Sequence, residues 1–209
     1  MKAIFTILSV LLLLSCASKE KEKQNITNLL KGNNLDQWGF ILEDSLLTMD
    51  DIWSVNEGVL YCSGAVNGYI YTKEDYADYT FSFDWRWPDE AGNSGVLLHI
   101  SRPDEIWPVC IEAQLKAENA ADLIMMGGTS IKEQSDRTNR RVAKLNESNE
   151  KTPGEWNSYK IICRSDSIKV FINDVLQNQA SQTSVSKGKI GLQSECKPIE
   201  FKNIALQQF

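Results

Sequence analysis

The stretch Tyr79-Thr80-Phe81-Ser82-Phe83-Asp84-Trp85-Arg86-Trp87 alternates apolar and polar residues without a break. Successive side chains of a β-strand leave opposite faces. Phe81, Phe83, Trp85 and Trp87 therefore share one face, and Ser82, Asp84 and Arg86 share the other. A line of large rings needs an apolar layer opposite it, whereas a helix would scatter the same rings around its axis. Working outward, short runs rich in Val, Ile, Phe and Tyr recur at 68–72, 94–101, 108–115, 157–164, 168–173, 189–193 and 200–207. Trp53-Ser54-Val55 and Val59-Leu60-Tyr61 flank Asn56-Glu57-Gly58, a hairpin signal, and Ser165-Asp166-Ser167 reads as a tight turn. Many strands around one core predict an all-β fold: a two-sheet antiparallel β-sandwich over residues 28–209. The exception is the polar connection 116–151, which contains Met125-Met126-Gly127-Gly128-Thr129 and a short expected helix over 117–123. A connection of that length in a compact domain is usually functional or mobile.

The amino terminus is of another kind. Lys2 precedes an apolar run from Ala3 to Leu14, shorter than the ~20 residues needed to span a bilayer. The run closes on Leu13-Leu14-Ser15-Cys16, the pattern of a bacterial lipoprotein signal, with residues 1–15 as signal peptide and Cys16 as the lipidated residue. The alternative is an ordinary secretory signal. Residues 16–27 alternate charge and hold few apolar groups, which describes a solvated, lipid-anchored tether. The chain is then expected in the cell envelope, at the outer membrane and facing the periplasm or the exterior, with a membrane partner through the anchor. Net charge is −6 and no basic cluster extends beyond Arg140-Arg141, which argues against a nucleic-acid partner.

Besides Cys16 there are Cys62, Cys110, Cys163 and Cys196, which permit two disulfides or buried free thiols. Cys110 and Cys163 lie in apolar strand-like runs, where a thiol behaves as a small hydrophobe. Nucleophile-elbow, phosphate-loop, zinc and dinucleotide motifs are all absent from the sequence, and one histidine cannot supply a site needing two. What remains is a set of polar residues within strands. Asp84 pairs with Arg86, Glu112 with Gln114, and Gln193 with Glu195, each two apart on one face. His99 sits in the otherwise apolar Val96-Leu97-Leu98-His99-Ile100, either as a hydrogen-bonded core residue or as a base. Charged side chains are costly inside a sheet, so these pairs belong on an exposed or cleft-lining face. Gathered on one concave sheet they suit sugar hydroxyls or a carbonyl. The plain alternative is a solvated outer face. Trp38, Trp53, Trp85 and Trp87 read as core, and Trp107, between Pro103 and Pro108, reads as a cleft wall.

Several segments resemble, in order, the 3-keto-disaccharide hydrolase domain family of bacterial lipoproteins. They are Leu29-Leu30-Lys31-Gly32-Asn33-Asn34-Leu35-Asp36-Gln37-Trp38, Trp53-Ser54-Val55-Asn56-Glu57-Gly58-Val59-Leu60, Tyr76-Ala77-Asp78-Tyr79-Thr80-Phe81 and Asn93-Ser94-Gly95-Val96. Further on come Ile111-Glu112-Ala113-Gln114-Leu115, Gly154-Glu155-Trp156-Asn157, Ile172-Asn173-Asp174 and Gly188-Lys189-Ile190-Gly191-Leu192-Gln193. The chain departs from the family pattern at Lys31 and Gln37, and it has Ala117 where the family carries an aspartate after Glu112-Ala113-Gln114. The resemblance implies a concanavalin A-like jelly roll with its site on the concave sheet. It also implies cleavage of 3-keto-glycosides by proton abstraction at C2, elimination and hydration. In that chemistry His99 or Glu112 would be the base, and Arg86 or a divalent cation would stabilise the oxyanion. Asp84, Gln114, Trp107, Gln193 and Glu195 would hold the substrate or ligate the ion. A non-catalytic carbohydrate-binding lipoprotein and a scaffold domain are the competing expectations.

Overall fold

The computed structural model describes residues 26–209 apart from Lys31 and Asn33. The signal peptide, Cys16 and nearly all of the tether lie outside the described residues. The elements in chain order are β1 (Ile26–Asn28), β2 (Trp38–Leu42), α1 (Met49–Ile52), β3 (Trp53–Asn56), β4 (Val59–Cys62), β5 (Gly68–Thr72), β6 (Tyr79–Arg86) and β7 (Gly95–Ile100). They continue as β8 (Cys110–Gln114), β9 (Leu123–Met126), β10 (Arg141–Val142), β11 (Asn157–Arg164), β12 (Ser167–Ile172), β13 (Val175–Ala180), β14 (Lys189–Ser194) and β15 (Ile199–Gln208). They form two antiparallel sheets. The first runs β13-β12-β11-β6-β15-β4-β3, with β1 also on β15; the second runs β10-β9-β8-β7-β14-β5-β2. The two-sheet sandwich is the expected one. The expected helix over 117–123 is absent: turns occupy that segment and lead into β9, which the sequence pattern had not marked.

The alternation over residues 79–87 sets the packing. Phe81, Phe83 and Trp85 point between the sheets and are buried, together with Tyr159, Ile161, Phe201 and, from the second sheet, Val96, Leu98, Ile111 and Leu192. Phe83 stacks on Tyr159 at 5.2 Å between centroids and meets Phe201 edge-on at 5.5 Å. Such aromatic pairs add to area burial, and truncating a ring of this size in a core costs about 3–5 kcal/mol. Trp38, Trp53, Trp85 and Trp87 are buried as expected. Cys62, Cys110 and Cys163 are buried free thiols, and Cys196 is free and exposed.

Parity also places Asp84 and Arg86, and it corrects their assignment. They lie on the outer face of the first sheet, away from any concave site of the second. Arg86 donates to Glu200 at 2.6 Å and lies 4.6 Å above the Trp156 ring, while Asp84 accepts from Asn203 at 2.6 Å. Both side chains are committed to surface pairing.

His99 is corrected for a different reason. The register between β14 and β7 slips between Lys189 and Gly191, and His99 adopts φ 56° at that bulge. A bulge inserts an extra residue and re-aims its neighbours. The imidazole therefore turns into the interior, 1% exposed, against Tyr79 with centroids 5.6 Å apart. Burial lowers its pKa below 6.5, opposed by the nearby backbone of Val185 and Ala77 and by the charge of Asp78. Because the folded pKa is depressed, the neutral ring is the stable form. Its contribution is full above the unfolded value of 6.5 and is lost as pH falls through and below it. Chemical denaturation at pH 7 and pH 5 should show the wild type losing stability on acidification. His99→Gln should lose measurably less.

Candidate functional site

On the outer face of the second sheet the register aligns one row across six strands. It runs Arg141, Ile124, Glu112, Leu97, Gly191 and Tyr71 on β10, β9, β8, β7, β14 and β5. One row over, Gln114 is level with Gly95, and Gln193 with Tyr69. Beyond it a bridge ties Asn93 to Glu195. This face carries its own apolar floor of Tyr69, Leu97, Ile100, Cys110, Ile124 and Met126, separate from the interlayer core. The loop 101–109 leans on it, with the Tyr69 hydroxyl donating to the Glu105 carbonyl at 2.9 Å.

A hollow of about 110 Å³ opens there, lined by Asn93, Trp107, Glu112, Gln114, Arg140, Gln193 and Glu195 over Ile124 and Met126. Five of the expected site residues thus converge: Glu112, Gln114, Trp107, Gln193 and Glu195. Asp84, Arg86 and His99 do not join them. Trp107 is 48% exposed and forms the wall. Two groups were missed. Asn93 lies in an isolated bridge just before β7, and Arg140 falls in the long polar connection; its adjacency to Arg141 was the available signal, but nothing local tied that pair to β8.

Glu112 is the buried carboxyl of this hollow. It is 6% exposed, and its carboxyl lies over Gly95, where any Cβ would fall on it. Glycine is needed there for a close approach rather than for a special backbone angle. Burial raises the Glu112 pKa from 4.5 to about 8, the Glu195 carboxylate adds to the rise, and Arg140 opposes it. Two carboxyl groups in one site, one of them favouring its proton, is the arrangement by which acid and base roles separate. The side-chain oxygens of Gln193 and Asn93 are buried without a hydrogen-bond partner. Such acceptors are unusual in native interiors and suit a ligand's hydroxyls. Among the described residues no group of three His, Cys, Asp or Glu is gathered to hold a metal ion.

Larger hollows of about 750 and 700 Å³ lie between loops elsewhere. The second contains Glu150, which burial raises, but its carboxylate already accepts from Ala120 N and Ser148 Oγ. Neither hollow joins a dry carboxyl to a second carboxylate and a guanidinium.

A family model described as 3-keto-alpha-glucoside-1,2-lyase-like domain matches residues 25–207. No curated protein matches the chain. Among solved structures, a Parabacteroides distasonis protein named as a glycosyl hydrolase is 20% identical with TM-score 0.65, covering 88% of this chain and 99% of its own. The carbohydrate-binding module CBM66 of Bacillus subtilis is 11% identical with TM-score 0.59, covering 83% and 98%. A Bacillus licheniformis beta-glucanase is 12% identical with TM-score 0.55, covering 89% and 98%. At these identities the likeness shows the fold, a concanavalin A-like jelly roll.

The raised carboxyl has a cost to the fold. A folded-state pKa of about 8 against 4.5 means that the contribution of Glu112 is full below pH 4.5 and is lost as pH rises through 8. At pH 7 the deficit is roughly 3 kcal/mol. Glu112→Gln should therefore be more stable than wild type to denaturant at pH 7, with the difference vanishing near pH 4.

Proposed function

We propose, for a chain that belongs to the 3-keto-alpha-glucoside-1,2-lyase-like domain family, that the hollow around Glu112 cleaves the glycosidic bond of 3-keto-glycosides. The observation that carries this reading is the dry Glu112 carboxyl beside Glu195 and Arg140 in a hollow with unpartnered amide oxygens. A ketone at C3 acidifies the C2 proton. Glu112, made more basic by burial and by the charge of Glu195, removes that proton. The electron pair enters an enolate whose C3 oxygen rests against the Arg140 guanidinium. The enolate then re-forms the ketone and expels the oxygen on C1, which takes its proton back from Glu112. This leaves a double bond between C1 and C2, to which water adds. Gln193, Asn93 and Gln114 hold hydroxyls, and Trp107 covers the ring.

A second reading, carbohydrate binding without turnover, is favoured by the size of the hollow. At about 110 Å³ it takes one end of a sugar ring rather than a whole disaccharide. The exposed Trp107 would serve either role as a stacking surface.

Aglycone release from a 3-keto-glucoside decides between them. Wild type should turn over, with kcat/KM rising as pH climbs through about 8 because Glu112 must be ionised. Glu112→Gln should lose about 10²–10⁴-fold, the usual worth of a general base. Glu195→Gln should move the rise to lower pH, since the charge that lifts Glu112 is gone. Sugar binding with no release in any of these proteins selects the second reading.

For the amino terminus we propose export and lipidation at Cys16, on the signal pattern that ends there. Membrane fractionation tests it: wild type should pellet with the envelope and Cys16→Ser should not.

A further inference from the structure

A second hollow, of about 160 Å³, adjoins the first. It shares Gln114 and Ile124 with it and is closed by Lys116, Asn119, Asp122 and Arg141. Its construction centres on one guanidinium. Asp122 is 1% exposed on its side chain, yet it is a carboxylate engaged on both oxygens. Oδ2 accepts from Arg141 Nε at 2.6 Å, and Oδ1 accepts from Lys144 N at 2.8 Å. Arg141 Nη2 donates to Asn119 Oδ1 at 2.8 Å, and the arginine side chain nonetheless stays 50% exposed. A buried carboxylate is an expensive way to stabilise a surface strand. What it achieves is a guanidinium held at two points, with its remaining edge open to the hollow. An anion meeting it loses no binding energy to ordering that side chain.

The second hollow sets Lys116 and Arg141 against one carboxylate, Asp122. Lys116 stands exposed and enters no ion pair among the described residues. Arg140 lines the adjoining hollow. The Gln114 amide oxygen accepts from Leu115 N and Lys116 N, which fixes that side chain between the two hollows. Arg141 and Glu112 stand two strands apart in one row, roughly 10 Å between backbones.

We propose that this second hollow receives the leaving group and selects glycosides whose aglycone carries an oxyanion, bound by Arg141 and Lys116. The inference rests on Glu112's hollow being the sugar site. The test uses three 3-keto-glucosides that differ only at the far end of an aryl aglycone: 4-carboxyphenyl, 4-sulfonatophenyl and neutral 4-hydroxymethylphenyl. Wild type should favour the carboxylate over the neutral substrate about tenfold in kcat/KM, mostly through KM, with the preference shrinking at high salt. Equal preference for the sulfonate supports a general oxyanion site; preference for the carboxylate alone supports recognition of its planar fork. Arg141→Gln should bring the ratio close to one and Lys116→Gln should lower it severalfold. Each ratio is read within a single variant, so a general loss of folding or activity cancels. A ratio of one in wild type, or an undiminished ratio in both variants, overturns the proposal. If no aglycone is released from any substrate, turnover at Glu112 fails on its own. The same ratio taken from dissociation constants by calorimetry then decides the oxyanion site, and absence of binding to all three compounds rejects it.

Discussion

Every second side chain of the second sheet is committed to the interlayer core, so whatever chemistry this sheet performs must come from the alternate set. In most sandwiches that set faces water and its charges are ordinary. Here the outer face is itself covered: Tyr69, Leu97, Cys110, Ile124 and Met126 form a floor, and the loop carrying Glu105 and Trp107 closes over it. β7 and β14 are accordingly buried along nearly their whole length. Glu112 is dried without leaving its strand, and the desolvation that raises its pKa follows from the layering. Gly95 completes the arrangement by leaving room for the carboxyl on the neighbouring strand.

The residue alternation made the strands legible because side-chain parity is a local property. β5 and β11 begin and end where the apolar runs do, and the β3–β4 hairpin surrounds Asn56-Glu57-Gly58. Sheet membership is not local. Asp84-Trp85-Arg86 and Glu112-Ala113-Gln114 present the same pattern of polar residues two apart, yet the long-range pairing of β6 with β11 and β15 sends the first pair to the opposite side of the molecule. Both expectations followed the same rule, and only one landed in the hollow.

His99 fails on parity itself. An uninterrupted β7 would put His99 on the same face as Leu97, towards the hollow, but the bulge opposite Lys189 and Gly191 adds one residue and turns the imidazole inward. The segment 116–151 hid the remainder. The polar residues around them masked β9 and β10: β9 pairs with the edge of β8 and β10 pairs with β9, and Arg140 and Arg141 reach the hollows through β10.

The polar groups of the site also explain each other's tolerance. An unpartnered buried amide oxygen costs about 1–3 kcal/mol, and this hollow holds two besides a carboxyl kept from water. A core built on Trp85, Phe81, Phe83, Tyr159 and Phe201 supplies the reserve that lets such a set persist. Asn93 and Gln193 line the hollow, where hydroxyl donors can pair with their side-chain oxygens. The same reasoning separates this hollow from the outer face of the first sheet. There Arg86 pairs with Glu200 and Asp84 with Asn203, so their polar groups already have partners within the sheet.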